Sequence, residues 1–372
     1  MQKNQLFQVL NQHLKTCMDK KNTNKSFTFS ESINLGFKAA MKKDKNMICY
    51  GLGINDPKKI FGTTKDLKKL FGGKRVFDVP TSENALTGIG VGAAINGVRT
   101  VITHQRLDFS LLSMDQIINS AAKWRYMFGG KVSVPLTIRM IIGRGWGQGP
   151  THSQNLSSLF CNIPGLKVVM PTFAKDAKRL LIKSIFDPNP VIFLEHRWLH
   201  EIKDNDFVSS LPNNLSFSNV IRKGKDITIV SMSYLTLEAI KAAKILKVNN
   251  IDCEIIDLVS LKPLNYKSIF KSVKKTKKLL VLDTGFPYGS IASEITSVVA
   301  RKMFKNLSVA PQIMTMPDIP EPTSFQLTKN LYITDQKIVI EVSKILKKKV
   351  THKMKVKKNL HDIPGEWFKG PF

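Results

Sequence analysis

Residues 81–101 read TSENALTGIGVGAAINGVRTV, and this stretch decides how the rest of the chain is interpreted. One acid, Glu83, precedes a run of glycines and alanines, so we expect a helix that lets other backbones approach closely, with the acid near its start. The same glycines could be read as a dinucleotide-binding turn. However, the third glycine is misplaced and no convincing buried strand leads into the run, so the packed helix is favoured.

Short apolar runs and helical patterns alternate on both sides of this stretch. Ahead of it, residues 30–41 have apolar positions at helical spacing, with Ser30 as the expected cap. The spacing of the apolar runs predicts a parallel sheet with helical crossovers. Its strands are expected at residues 47–50, 100–103, 136–142, 166–170 and 191–194.

The length of 372 residues predicts two domains, and the alternating strand and helix patterns predict that both are doubly wound α/β domains. The polar, loop-like segment from Asp204 to Asn219 is the expected boundary between the two domains. Beyond it, strands are predicted at 226–231, 253–258 and 279–283, with a helix at 237–246. The expected organisation is a polar leader (1–25), a first domain (26–203), a linker (204–219), a second domain (220–346) and a basic tail (347–372).

The formal net charge of +29 raises the question of nucleic-acid binding. The lysines are spread along the whole chain and no base-reading or zinc-finger motif accompanies them, so no nucleic-acid partner is expected. The densest patch either stays solvated or docks an acidic partner. It comprises Lys344, Lys347, Lys348, Lys349, Lys353, Lys355, Lys357 and Lys358.

Neither a membrane span nor a secretory signal is expected, because no run of about 18 apolar residues occurs and the first residues lack a signal-peptide pattern. A cytoplasmic location is therefore predicted. The four cysteines, Cys17, Cys49, Cys161 and Cys253, are scattered and are expected to be reduced thiols.

Three side chains stand out as candidates for chemistry: Glu83, Phe109 and His152. Each has a simpler explanation when taken alone. The glutamate suits a helix start, the phenylalanine lies beside leucines as a core residue would, and a histidine after Gly149-Pro150 is usually a loop residue. Their joint context favours function.

That context resembles the beta subunit of the thiamine-dependent 2-oxo acid dehydrogenases, of the pyruvate and branched-chain type. The resemblance covers most of the chain and rests on residues 81–101 and on four further segments, MDQIINSAAKWRYMFGG, PTHSQ, PGLKVVMP and DPNPVIFLEH. It implies a transketolase-like pyrimidine-binding domain followed by a transketolase C-terminal-like domain. It also implies that the helix after Glu83 packs at a subunit interface.

The resemblance implies that the cofactor is thiamine diphosphate. Glu83 matches the acid that activates the pyrimidine, Phe109 the ring that stacks on it, and His152 a catalytic histidine; Gln105 is a further cofactor-binding candidate. A carboxylate against a ring nitrogen promotes the imino form of the aminopyrimidine, and a neutral imidazole can handle substrate protons.

The sequence contains no Gly-Asp-Gly motif. In the family this motif lies on the alpha subunit and supplies the magnesium and diphosphate site. The resemblance therefore implies an alpha partner, an alpha2-beta2 tetramer, and docking to a lipoyl acyltransferase core. The nearest enzymatic alternative is half of a split transketolase or another carboligase. The alternative from a different class of protein is a non-catalytic basic binding protein.

Two departures from the family bear on substrate and mechanism. Gly51-Leu52-Gly53 stands where most relatives carry a Gly-Glu-Glu whose acid helps line a proton path, while Asp115, the other acid of that path, is retained. Residues 104–108 and 143–150 are also unusually polar, which suggests a more polar 2-oxo acid than pyruvate or a different acceptor.

The resemblance further suggests a structural potassium ion bound by main-chain oxygens. The matching residues surround Asp187-Pro188-Asn189-Pro190, which a simple turn would also explain. They are Leu136, Ser184, Ile185, Asp187 and Asn189. The expected activity is oxidative decarboxylation of pyruvate or a related small 2-oxo acid, with acyl transfer to a lipoyl group.

Overall fold

A computed structural model describes residues 26–204, 214–351, 361–363, 368 and 370 of the protein. The predicted leader, Cys17, the middle of the predicted linker and five of the tail lysines (Lys353, Lys355, Lys357, Lys358 and Lys369) lie outside these residues. The described chain forms two large, mainly parallel sheets with helices against them, which confirms the α/β class with two doubly wound units.

The first unit contains eight strands and six α-helices among its described residues. In chain order these are β1 (Phe27–Thr28), α1 (Phe29–Lys43), β2 (Ile48–Gly51), α2 (Leu67–Phe71), β3 (Val76–Asp78), α3 (Glu83–Ile95), β4 (Thr100–His104), α4 (Ala122–Met127), β5 (Leu136–Ile142), α5 (Ser157–Cys161), β6 (Lys167–Val169), α6 (Ala174–Ile185), β7 (Val191–His196) and β8 (Lys203–Asp204). Two 3₁₀ helices, at Leu107–Ser113 and Arg197–Leu199, and a π-helix at Gln116–Ala121 complete it.

The second unit contains six strands and five α-helices among its described residues. They are β9 (Asn219–Arg222), β10 (Ile227–Ser231), α7 (Tyr234–Val248), β11 (Cys253–Asp257), β12 (Ser260–Lys262), α8 (Tyr266–Thr276), β13 (Leu279–Leu282), α9 (Ile291–Met303), β14 (Gln312–Met314), α10 (Phe325–Thr328) and α11 (Asp335–Leu346), with a short 3₁₀ turn at Phe304–Asn306. The five-stranded sheet has the order β14-β13-β10-β11-β9.

The first sheet has seven strands in the order β12-β6-β7-β5-β4-β2-β3. Its centre is β5, in which all seven side chains are buried, because parallel neighbours flank it and helices cover both faces. One edge strand, β12, comes from the second unit and pairs antiparallel with β6. Strand pairing therefore joins the two units, which the sequence did not predict.

One local prediction was wrong. The cap of α1 is Thr28 rather than Ser30, because Thr28 and Glu31 form a reciprocal capping box, with backbone-to-side-chain distances of 3.1 and 2.8 Å. A short parallel strand, β3, does precede the glycine run. Gly88, Gly90 and Gly92 nevertheless lie inside α3, so the packed-helix interpretation is confirmed and the dinucleotide turn is excluded.

Within the part of the chain that the structure describes, no helix is long and apolar enough to cross a membrane. Cys49, Cys161 and Cys253 are free thiols, as predicted. Burial raises the pKa of each of these three to about 12, so they are not reactive thiolates.

Candidate functional site

A cleft opens beside the carboxyl ends of β2 and β4, the edge at which parallel α/β sheets commonly bind ligands. It brings together Glu83, Gln105 and Phe109, three residues that the sequence singled out. The lining residues are Leu52, Pro80, Thr81, Ser82, Glu83, Leu86, Thr103, His104, Gln105 and Phe109.

Glu83 is the first residue of α3 and is half-buried. The helix is fixed against the sheet because the Tyr50 hydroxyl donates to the carbonyl oxygen of Leu86 at 3.0 Å. Gly90 makes this approach possible, since a Cβ there would lie 2.5 Å from Ile102 Cδ1 and 2.7 Å from the Tyr50 oxygen. A glycine in the helix thus sets the position of the acid at its start.

Phe109 and His152 are distant in the sequence, but their rings are in contact in the folded chain. Their ring centroids lie 5.4 Å apart with an interplanar angle of 89°, an edge-to-face arrangement. The Nδ1 atom of His152 lies 3.0 Å from the Thr151 hydroxyl oxygen. The structure therefore places His152 next to the cleft that contains Glu83.

Asp108 holds these two segments together, and sequence reasoning did not identify this role. Its carboxylate accepts hydrogen bonds from the backbone nitrogen and the side-chain amide of Gln154, at 3.2 and 3.0 Å. The interaction joins residues 46 positions apart. No periodicity reveals such a pair, although both residues lie in segments quoted from the sequence.

His104 forms part of the cleft wall and is only 3% exposed. Burial lowers the pKa of its imidazole to about 4, so the ring is neutral near pH 7. Among the described residues, its Nε2 atom has no hydrogen-bond partner. A buried polar atom without a partner usually faces a ligand or water, so this cleft is suited to a group that offers hydrogen bonds.

The structure explains why Gly51-Leu52-Gly53 differs from the Gly-Glu-Glu that the sequence comparison with the resembled family led us to expect. Gly53 has a φ of 78°, and a Cβ at this position would overlap the side-chain amide of Gln105. A glutamate here would displace Gln105 from the cleft. Asp115 is exposed, accepts a hydrogen bond from Asn119 at 2.7 Å and is not among the residues that line the cleft.

Four of the residues proposed for potassium, Ser184, Ile185, Asp187 and Asn189, lie at the turn that ends α6, and the fifth, Leu136, is the first residue of β5. The Asp187 carboxylate accepts from the Asn189 backbone nitrogen at 2.9 Å and pairs with the Lys167 ammonium at 2.6 Å. The Ser184 carbonyl accepts from the Asp187 nitrogen at 3.1 Å. In the described ranges, no cluster of three or more His, Cys, Asp or Glu residues could hold a metal. Any cation here would depend on main-chain oxygens.

Two family models match the chain. The model for the transketolase pyrimidine binding domain matches residues 25–201, and the model for the transketolase C-terminal domain matches residues 218–338. Together they cover both units of the fold.

Several curated relatives match over most of their length. The pyruvate dehydrogenase E1 component subunit beta of Rickettsia bellii is 35% identical over 86% of this chain and 98% of its own. The acetoin:2,6-dichlorophenolindophenol oxidoreductase subunit beta of Cupriavidus necator is 37% identical over 81% of this chain and 92% of its own. The mitochondrial subunit beta-1 of the Arabidopsis thaliana pyruvate dehydrogenase E1 component is 35% identical over 82% and 85%.

A solved structure described as a split gene transketolase, an inactive beta4 tetramer, has a TM-score of 0.72. It covers 86% of this chain and 99% of its own at 19% identity, which supports the fold alone.

Proposed function

The chain belongs to the family of E1 beta subunits of the transketolase-like 2-oxo acid dehydrogenases, and from this premise we propose that it provides the pyrimidine half of a thiamine diphosphate site. The observation that carries the proposal is the arrangement of Glu83 and Phe109 in one cleft with His152 against Phe109. The second half, with the magnesium site, would come from an alpha subunit, since this sequence has no Gly-Asp-Gly motif.

The cleft residues fit the cofactor's pyrimidine. Phe109 offers an apolar ring face, and the unpartnered Nε2 of His104 and the amide of Gln105 offer hydrogen bonds. Glu83 would hold a proton at a ring nitrogen of the aminopyrimidine. Thiamine diphosphate, when bound, supplies a nucleophilic carbon and an electron sink.

His152 would act on the substrate and acceptor side of the site. Its imidazole contacts the edge-to-face partner Phe109, and the Asp108–Gln154 bonds fix the segment that follows it. A fixed imidazole can orient an acceptor or pass it a proton, whereas a mobile one would do so inefficiently.

The proposed reaction is the oxidative decarboxylation of a small 2-oxo acid, with transfer of the acyl unit to a lipoyl group on an acyltransferase partner. Relatives named as pyruvate dehydrogenase E1 beta subunits, at 35% identity, favour this over a split transketolase, which is supported by fold similarity alone. The proposal of a more polar 2-oxo acid or of a different acceptor rests on the polar residues at 104–108 and 143–150. An alpha2-beta2 assembly, a potassium ion at the α6 turn and a cytoplasmic location are parts of the same proposal.

Binding measurements test the half-site. The chain alone should bind thiamine diphosphate weakly by calorimetry, and co-expression with an alpha-type subunit should create tight, magnesium-dependent binding. The reconstituted protein is then assayed with pyruvate, a branched-chain 2-oxo acid, a dicarboxylic 2-oxo acid and acetoin. Tight stoichiometric binding by the chain alone would contradict the proposal.

A further inference from the structure

The loop that leads to His152 has a backbone that few residues tolerate. Gly145, Trp146, Gly147 and Gly149 have φ values of 83°, 51°, 67° and 72°. Non-glycine residues such as tryptophan rarely adopt this left-handed conformation unless the surroundings impose it. Contacts from outside the loop must therefore restrain it.

Two buried carboxylates bind backbone amides of this loop. The Trp146 nitrogen donates to Asp362 at 3.1 Å, and the Gly145 nitrogen donates to Glu321 at 3.3 Å. Asp362 is 6% exposed and Glu321 is 7% exposed. The Tyr332 hydroxyl also donates to Glu321, at 2.7 Å, and so holds that acid in place. Hydrogen bonds to ionised acceptors are stronger than neutral ones.

The chain near Asp362 packs so closely on the loop that glycine is required on both sides. A Cβ on Gly145 would overlap the Asp362 carbonyl, and a Cβ on Gly370 would overlap the Trp146 indole. Phe368 is 5% exposed and packs against Trp146, with ring centroids 5.1 Å apart. Gly370 and Phe368 thus cover part of the indole, while Trp146 remains 40% exposed on its other side.

The same C-terminal residues are anchored to both units of the fold. The Arg197 guanidinium, from the first unit, lies 4.9 Å from the Phe368 ring centroid and donates to the Gly370 carbonyl at 3.5 Å. The His361 Nε2 atom lies 2.9 Å from the hydroxyl oxygen of Thr328, which belongs to the second unit. These contacts fix Asp362, Phe368 and Gly370 relative to the loop.

The restraint reaches the candidate site through the rest of the loop. Gln148 accepts from Arg106, which lies in the segment that leads from β4 to Phe109, at 3.0 Å. The His152 nitrogen donates to the Gly149 carbonyl at 3.4 Å. A change in the loop backbone would therefore move His152.

We propose that Asp362, Phe368 and Gly370 form a C-terminal clamp that imposes the conformation of residues 143–152 and positions His152. All contacts of the clamp lie within one chain, and its existence does not depend on the proposed function. Its effect on chemistry rests on the proposed function of His152. The clamp residues are positioning residues, because they touch the loop rather than the substrate.

A matched pair of alanine substitutions tests the clamp. Gly370 and Gly129 both have a φ of 58°, which is unfavourable for alanine, but of these two positions only Gly370 would bring the new Cβ against another residue, the Trp146 ring. Hydrogen–deuterium exchange of residues 143–149 is measured on the full chain without cofactor. Gly370→Ala should speed this exchange, and Gly129→Ala should leave it unchanged.

Asp362→Ala gives a second measurement that does not introduce bulk. It should speed exchange at the Trp146 amide by about tenfold or more, as expected when a hydrogen bond to a charged acceptor is lost. Asp362→Asn keeps an acceptor oxygen and should have a smaller effect. Exchange that is the same in wild type, Gly370→Ala and Asp362→Ala would overturn the clamp.

The positioning effect is tested in the reconstituted enzyme with an alpha-type subunit. Gly370→Ala should reduce acyl transfer to lipoyl more than decarboxylation monitored with an artificial electron acceptor, with cofactor affinity retained. Faster loop exchange without this difference would overturn the positioning of His152. If the wild-type enzyme has no thiamine-dependent activity, the proposed function fails, whereas the exchange measurement still decides whether the clamp exists.

Discussion

Alanine at Gly90 should lower the stability of the fold and alanine at Gly92 should raise it, although the two glycines are only two residues apart in α3. At Gly90 the new Cβ would lie 2.5 Å from Ile102 Cδ1 and 2.7 Å from the Tyr50 hydroxyl, whereas at Gly92 no atom lies within 4 Å. Overpacking a core costs about 1–3 kcal/mol, and replacing a helical glycine by alanine gains up to about 1 kcal/mol. The expected net effect is therefore a loss of up to about 2 kcal/mol at Gly90 and a gain of about 0.5–1 kcal/mol at Gly92.

The assay is urea denaturation of the isolated chain, followed by a signal from the first unit, with both variants and wild type at one protein concentration. If the midpoints shift and the m-values stay equal, the substitution has changed the stability of the protein and not the compactness of its denatured state. If Gly90→Ala is as stable as Gly92→Ala, the close approach of α3 to the sheet, and with it the support for Glu83, is wrong. Loss of assembly with an alpha-type subunit in Gly92→Ala alone would support the implied interface on the open face of this helix.

Two further outcomes are expected. His152→Ala should damage acyl transfer to lipoyl more than decarboxylation with an artificial electron acceptor, and equal losses at saturating cofactor would contradict its acceptor-side role. Burial raises the pKa of Asp257 to about 7, while Thr172 and Thr236 donate to it at 2.7 Å. The folded state then holds a proton that the unfolded state loses near pH 4, so this group's contribution to stability falls as the pH rises from about 4 to about 7. The free energy of unfolding of Asp257→Asn should therefore rise relative to that of wild type as the pH increases from about 4 to about 7. If denaturation curves show the same difference between the two proteins at every pH in this range, the raised pKa of Asp257 is refuted.

Sequence patterns predicted those helices and strands that can be identified from their own residues, without knowledge of their neighbours in the fold. The apolar run Leu136–Ile142 forms a strand with the predicted bounds, because a parallel strand buried on both faces is apolar throughout. The strand Val76–Asp78 was missed since three residues are too few to show a period, and the pairing of Ser260–Lys262 with the first sheet was missed because it depends on a distant strand.

The candidate site was predictable where residues match a family motif and hidden where it depends on long-range contacts. Glu83 and Phe109 were found from the motif, and the cleft brings them together. The bond from Gln154 to Asp108 and that from Trp146 to Asp362 join residues 46 and 216 positions apart. Such pairs leave no local pattern, because each partner is an ordinary polar or aromatic residue in its own segment.

The central claim is that Glu83 activates the cofactor, and its most direct test is exchange of the thiazolium C2 proton in the complex with an alpha-type subunit. Glu83→Gln keeps the size of the side chain but removes the carboxylate, so exchange should slow by about 100- to 10,000-fold while folding is retained. Glu31→Gln is the matched control, since Glu31 is also an acid in the first turn of a helix but lies in the capping box of α1. Exchange at the wild-type rate in Glu83→Gln would show that this acid only suits its helix and would contradict the account.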